Sequence, residues 1–452
     1  MSANTQHTLV DRDKALVWHP FTQEQTALAR LPVVRGSGPW LYDEGNNAYL
    51  DLVSSWWVNL FGHARPEIAA SIAAQANTLE HVLFAGCTHE PAVQLCEALN
   101  QMLPLELGKF FFSDNGSTAV EVALKMAHQY WRNVCSQERR LFIGFHGGYH
   151  GDTVGAMSVG AHCGYHDQFR SFFFDSVAVP FPETWLADQD VDAREAAALD
   201  ALEASLKQHA GQVAAMIVEP LVQGAAGMRM CRPQFIAQAV ALARVHDTLV
   251  IFDEVMTGFG RTGTRFAFEQ TGVVPDFLCV SKGITGGFLP LALTITSDPI
   301  YQAFLSDTAD KAFSHGHSYT ANPLACAAAL ASLTLLNTAE TTKAWQRLTQ
   351  DHKSGLHMLL QTVPCIERVR QCGTIAAFDL PEDYPLAASQ LHQCFLQEGL
   401  LLRPIGRTVY LMPSYVVNAE QLHNAYERIA HVLGAQADGA RAVAPAMPEI
   451  SI

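Results

Sequence analysis

The sequence is short of charge, and the charge it has is lopsided. Only 16% of its 452 residues are Asp, Glu, Lys or Arg, and 44 acids against 29 bases leave a formal net charge of -15. No run of Lys or Arg interrupts that deficit, so the surface needed to neutralise a phosphate backbone is missing and nucleic acid is not an expected partner. Paired cysteines are also missing. The ten cysteines include Cys87, Cys96, Cys135, Cys163, Cys231 and Cys394, and none forms a C-x-x-C pair. A chain of this length needs no disulfide framework, so they read as reduced small hydrophobes of a cytoplasmic protein. The opening stretch MSANTQHTLVDRDK has no apolar signal core, and the longest apolar run, Ala325 to Leu336, is too short to span a bilayer. No membrane is expected. The 19 histidines show no H-E-x-x-H spacing, so no metal is expected, and no G-x-S-x-G elbow points to a serine hydrolase.

What is present is apolar sequence, 49% of the chain, enough for an extensive core and too much for disorder. The length favours more than one lobe. KFFFSD (109–114), VAAMIVEP (213–220), TLVIFDEV (248–255) and DFLCVSKG (276–283) read as buried strands ending in polar residues. TAVEVALKMAHQYW (118–131) and QFIAQAVALARVHD (234–247) read as helices between them. That alternation predicts an α/β fold, a mostly parallel sheet wrapped by helices over 61–334. Residues 33–57 carry the turn signals GSG and DEGN and predict an antiparallel meander. With 335–440, which holds the short strands TIAAFDL and RTVYLMP and a final helix near 419–434, residues 1–60 should build a smaller α+β lobe. AQADGARAVAPAMPEISI (435–452) looks like a loose tail, flexible at least over 441–452.

Ligands of open parallel sheets sit at the carboxyl ends of the strands, and four features fall there. Asp253 closes the apolar strand LVIFDE, where a carboxylate either makes a structural ion pair or holds a cation. Lys282 follows FLCVS and precedes a Gly-rich turn. A solvated strand-end lysine is the ordinary reading; a desolvated amine would have a lowered pKa and could form a Schiff base. SDNGSTAVEVALK (113–125) puts Gly116 and Ser117 at a helix entrance, an anion site in the making, while Thr118 and Glu121 would serve equally as a capping box. FHGGYHGDT (145–153) presents Tyr149, His150 and Asp152 on a tight glycine turn. GFGRTG (258–263) formally matches the dinucleotide fingerprint, but no helix opens after it and no acidic residue closes a following strand.

In this chain order the four features resemble the class III aminotransferases, fold type I enzymes that depend on pyridoxal 5′-phosphate. FDEVMTGFGRTG (252–263) through SKGITGG (281–287) matches that family's signature, and the likeness runs from about Trp18 to the final helix. The resemblance implies that Lys282 is the Schiff-base lysine and Asp253 the partner of the pyridine nitrogen. It also implies that Gly116 and Ser117 hold the phosphate and that Tyr149 stacks on the ring. Ser318, in HGHSYTANP (315–323), would reach the phosphate of a neighbouring subunit, with Gly316 of the same segment near substrate, which makes the expected assembly a homodimer with shared sites. WHPFTQ (18–23), LVSSWWVNLFGH (52–63) and RPIGRTVYLMPSY (403–415) are similar to one branch of the family. That branch transfers an amino group from S-adenosylmethionine to 8-amino-7-oxononanoate, giving 7,8-diaminononanoate for biotin. Its likeness implies Trp56 as an aromatic wall, with Trp57 turned away as on a strand, and Arg403 as the cation for the far carboxylate. Phe21, Asp152 and Arg261 fall at further pocket positions. Phe21 departs from the Tyr that many members carry. Lysine as donor, an ω-amino acid or diamine–pyruvate transaminase, and a glutamate-1-semialdehyde aminomutase are the competing readings.

Overall fold

The computed structural model describes residues 8–443. Its centre is a seven-stranded sheet: β1 (Lys109–Ser113), β2 (Leu141–Phe145), β3 (Ser176–Val179), β4 (Val213–Val218), β5 (Leu249–Asp253), β6 (Phe277–Val280) and β7 (Ala292–Thr296). The spatial order is β1-β7-β6-β5-β4-β2-β3. β7 runs against both of its neighbours, and every other pairing is parallel. All of β4, β5, β6 and β7 is buried, which is why β4, β5 and β6 read as apolar runs rather than as alternating ones.

Helix α1 (Gly116–Cys135) follows β1 directly and buries Val120, Ala123, Leu124 and Ala127 in the core. Its entrance is held by a capping box, but three residues earlier than the sequence suggests. Asn115 Oδ1 accepts the N–H of Thr118 at 3.1 Å, and Thr118 Oγ1 accepts that of Asn115 at 3.1 Å. Glu121 is not the cap partner. It reaches instead to the N–H groups of Gly155 and Ala156, at 2.6 and 3.1 Å, at the start of the short helix Val154–Val159.

The two ends of the chain meet. Val33–Ser37, Trp40–Asp43 and Ala48–Asp51 form the antiparallel meander, and Leu400–Leu401 joins it in parallel beside Ala48–Asp51. Glu367–Cys372, Ile375–Asp379 and Thr408–Leu411 make a three-stranded antiparallel sheet. Part of the expected tail is regular: the last helix runs Ala419–Val443, so 435–443 belong to it, and 444–452 lie outside the described residues. Among the described residues no single helix is long and apolar enough to cross a membrane.

The stretch after the meander is no strand. Ser54–Trp57 is an irregular turn with Ser54, Ser55 and Trp57 at φ of 50°, 60° and 67°. Consecutive side chains therefore do not alternate between two faces, and the placement of Trp57 away from the pocket is overturned: both tryptophans line the same cavity. Trp57 is buried and donates its indole N–H to Tyr410 Oη at 3.0 Å, while Trp56 is exposed.

Arg261 also departs from expectation. It does not line the cavity; it is 1% exposed, and both terminal nitrogens of its guanidinium bond backbone carbonyls. Nη1 donates to Pro413 O at 2.8 Å and Nη2 to Asn59 O at 2.9 Å. These bonds tie the tryptophan turn to the strand end at 413 and satisfy acceptors that burial would otherwise orphan. Arg261→Met is expected to lower the unfolding free energy by about 3 kcal/mol, since it strands two buried carbonyls. Chemical denaturation checks this. A variant as stable as the parent, with only substrate affinity altered, would return Arg261 to the pocket.

Candidate active site

At the carboxyl edge of the sheet lies a cavity of about 760 Å³. The ends of β1, β2, β4, β5 and β6 each deliver part of its wall. β1 passes into α1 through Asp114 and Asn115, so that Gly116 and Ser117 stand at the helix N-terminus facing this edge. The capping box uses the N–H groups of Asn115 and Thr118. Those of Gly116 and Ser117 find no partner within the chain among the described residues, so donors and helix dipole are left for an anion. Glycine is required at 116 because a Cβ there would lie 2.6 Å from Val255 Cγ1.

β2 leads into the loop of Tyr149, His150, Gly151 and Asp152. Gly151, at φ +116°, brings the loop against α1 so closely that a Cβ would stand 1.9 Å from Ser117 Oγ. In that contact the Asp152 N–H donates to Ser117 Oγ at 3.1 Å. The Tyr149 hydroxyl donates to Asp152 Oδ2 at 2.9 Å, and His166 Nε2 lies 3.0 Å from Asp152 Oδ1. The His166 contact holds the Asp152 carboxyl below the usual range. Burial alone would pull His166 down, but Asp152 and Cys163 outweigh it and hold the imidazole up at about 9. Asp152 itself does not line the cavity; it stands behind Tyr149, which does.

β5 ends in Asp253, 5% exposed. Its Oδ2 lies 2.8 Å from Nδ1 of the buried His150, and its Oδ1 accepts the Val255 N–H at 3.1 Å. β6 ends at Ser281 and Lys282. Lys282 begins a tight turn at φ +45°, reaches the cavity with its amine, and lies with Nζ 4.9 Å from the Trp57 ring centroid. Burial pulls its pKa down, and the nearby Asp253 and Glu219 carboxylates restore only part of the loss. An amine whose charged form burial disfavours is a better nucleophile and base than a solvated one. The far wall is Phe21, Trp56 and Arg403, with the guanidinium carbon 5.0 Å from the Trp56 ring centroid.

The structure thus brings Lys282, Asp253, Tyr149, Gly116, Ser117, Phe21, Trp56 and Arg403 to one cavity. Gly316 and Ser318 are not at its wall; the Ser318 carbonyl is taken by His81 Nε2 at 2.6 Å. Three residues of the site were not singled out from the sequence. Glu219 closes β4 as Asp253 closes β5, a signal of the same kind. It accepts the N–H groups of Tyr149 at 3.0 Å and Gly224 at 2.9 Å, and burial pushes its carboxyl up to about 7. His150 was seen only as part of a glycine loop, and its contact with Asp253 spans 103 positions. Tyr165 lies in a loop with no periodicity to mark it.

This donor set, with a capped helix N-terminus at one end, a buried amine at the centre and a strand-end carboxylate behind, is that of an amino-group-transferring enzyme. The chain belongs to the class-III aminotransferase family, whose model matches residues 21–433. It is 50% identical to the adenosylmethionine-8-amino-7-oxononanoate aminotransferase of Synechococcus elongatus, an alignment covering 92% of this chain and 98% of that protein. It is 37% identical to the protein of the same name from Helicobacter pylori, over 95% and 98% of the two chains. The crystal structure of adenosylmethionine-8-amino-7-oxononanoate aminotransferase from Methanocaldococcus jannaschii superposes with a TM-score of 0.87 at 34% identity, covering 94% of this chain and 98% of that one. An amine transaminase from an uncultivated Pseudomonas species, solved in its PLP-bound form, superposes with a TM-score of 0.85 at 30% identity, over 92% and 98% of the chains.

Proposed function

We propose that this chain holds pyridoxal 5′-phosphate and transfers the amino group of S-adenosylmethionine to 8-amino-7-oxononanoate, giving 7,8-diaminononanoate. The observation that carries the reading is a single cavity lined by a helix-end anion site, a buried lysine, a buried strand-end carboxylate, and an aromatic wall with an arginine beyond it. The names borne by the relatives supply the substrate pair.

The residues fit the cofactor. The free N–H groups at Gly116 and Ser117 suit its phosphate, Asp253 suits its ring nitrogen, Tyr149 its ring face, and Lys282 its aldehyde. The bound cofactor supplies an electron sink for the charge left when a carbon beside the reacting nitrogen loses its proton. Asp253, fixed by His150 and the Val255 N–H, holds a proton on the ring nitrogen. With the cofactor bound, Lys282 Nζ would be the base that takes the proton from the substrate's α-carbon and delivers it to the cofactor carbon that carries the amino group, a role favoured by the burial that lowers its pKa. Trp56 and Phe21 cover the aliphatic length of the keto acid, and Arg403 meets its carboxylate. Gly316 and Ser318, off this chain's own cavity, would serve the cavity of a second copy in a homodimer.

The test is a half-reaction. S-adenosylmethionine alone should convert the yellow protein to its amine form, and 8-amino-7-oxononanoate should reverse the change. A yellow protein discharged by lysine or another amine, and never by S-adenosylmethionine, would leave the family standing and remove this substrate assignment.

A further inference from the structure

The mouth of the cavity carries a run of rings that the roles above leave partly unused. Phe21 sits between Trp56 and Tyr165, with ring centroids 5.7 and 6.2 Å away, and Tyr165 meets Tyr149 edge-on at 6.1 Å. The four rings form a continuous arc along the cavity wall.

What this arc offers a ligand follows from where its protons point. The Tyr165 hydroxyl donates to the Ala225 carbonyl at 3.1 Å, and the Tyr149 hydroxyl donates to Asp152 at 2.9 Å. A phenol has one proton, so both are already committed within the protein. Phe21 has none to give. From Phe21 to Tyr149 the arc therefore presents ring faces and phenol lone pairs, an electron-rich surface without a donor. Such a surface has nothing for a carboxylate and suits a bulky, weakly hydrated cation. Behind its Tyr149 end the Asp152 carboxylate is already paired with His166, so that end is defined by the rings and phenol oxygens rather than by net charge. At the opposite end Arg403 rests over Trp56. The positive charge of Arg403 reaches the Tyr165 phenol and opposes a cation there, while burial pushes that phenol up. Its seat on Trp56 leaves the Phe21 and Tyr165 rings free, while Tyr149, whose face suits the cofactor ring, adds its phenol oxygen. One cavity thus has an end for an anion and an end for a cation.

We propose that Phe21, Tyr165 and Tyr149 form the subsite for the sulfonium group of the amino donor, with Tyr165 as the residue that sets the preference for a cationic donor. The proposal rests on S-adenosylmethionine being that donor. A sulfonium bears a full positive charge on three carbon substituents and has no hydrogen on sulfur to donate, so ring faces and lone pairs are the groups that recognise it. It stands only a few bonds from the amine that reacts at Lys282, which matches an arc beginning at Tyr149. A hydroxyl at Phe21 is then dispensable, because the ring face is what is used.

Single-turnover half-reactions test this, with S-adenosylmethionine compared against S-adenosylhomocysteine, its neutral thioether. Tyr165→Leu is expected to raise the half-saturating concentration of the sulfonium donor roughly tenfold, the scale of one partly desolvated cation–π contact. The thioether's half-saturation should move less than about threefold, since it carries no sulfonium charge. Tyr165→Phe keeps the ring and should stay within about threefold of the parent for both donors. If Tyr165→Leu weakens both donors alike, leaves both untouched, or is matched by Tyr165→Phe, the subsite is wrong. In each of those cases discharge of the parent by S-adenosylmethionine still upholds the donor assignment. A parent that S-adenosylmethionine does not discharge removes the donor assignment and this subsite together.

Discussion

Lys282→Ala is expected to lower turnover by about four orders of magnitude and to leave the protein folded. The loss is large because one amine has two duties in the proposed reaction, holding the cofactor and moving the α-proton. Among the described residues, the two carboxylates whose charge reaches Lys282 are already engaged. Asp253 is engaged by His150 and the Val255 N–H, and Glu219 by the Tyr149 and Gly224 N–H groups. Stability should move the other way. The lysine sits in a left-handed backbone conformation with its amine desolvated enough to lower its pKa, so the fold does not profit from it. Removing a buried ionisable group of this kind leaves the thermal midpoint unchanged or slightly raised. Steady-state rates and thermal unfolding on the same preparation decide the matter. Activity within tenfold of the parent would end the mechanism, and a collapsed midpoint would show that Lys282 supports the fold.

Asp253→Asn is expected to cost about two to three orders of magnitude in turnover, the usual scale for removing one preorganised electrostatic contact from a water-poor site. The amide has nearly the shape of the carboxylate but not its charge, so it cannot hold a proton on the cofactor's ring nitrogen. It also deprives His150 Nδ1 of its carboxylate, which is why the effect should exceed that of a single lost hydrogen bond. Two readings besides rate should change: the absorption spectrum of the bound cofactor, and the concentration of free cofactor needed to keep the enzyme loaded. Unaltered spectrum, retention and rate together would show that Asp253 is a structural acid serving His150.

The parts of this fold that could be read in the sequence are those set by local physics. β4, β5 and β6 are apolar runs because both faces of the sheet are covered, and each run names its own end in Glu219, Asp253 or Ser281. α1 was legible from its spacing, although its cap was placed at Thr118 and Glu121 rather than at Asn115 and Thr118. Strand ends offer Lys282 and Asp253 and a glycine turn offers Tyr149, each with an ordinary structural reading open, and it is their chain order and the family resemblance that single them out; one cavity holds all three. Legibility failed where conformation or long-range contact decides. Positive φ angles at 54, 55 and 57 undo the alternation assumed for Trp56 and Trp57. Arg261 looks like any pocket arginine until the carbonyls of Asn59 and Pro413 are seen around it. His150 meets Asp253 only because β2 and β5, which flank β4, bring their carboxyl ends together across it.

The tryptophan turn has a consequence for the order in which the protein is made. Trp57 hydrogen-bonds Tyr410 across 353 positions, and Ser54 Oγ donates to the Met412 carbonyl across 358. One wall of the cavity is therefore held by residues that emerge from the ribosome near opposite ends of synthesis. Closing so long a loop is slow, and its entropy must be met before the contacts repay it. The central sheet, whose strands span 109–296, has all of its parts well before Tyr410 appears. During refolding, the sheet's signals should recover first and the capacity to bind ligand last, so that recovered activity reports on completion of the whole chain.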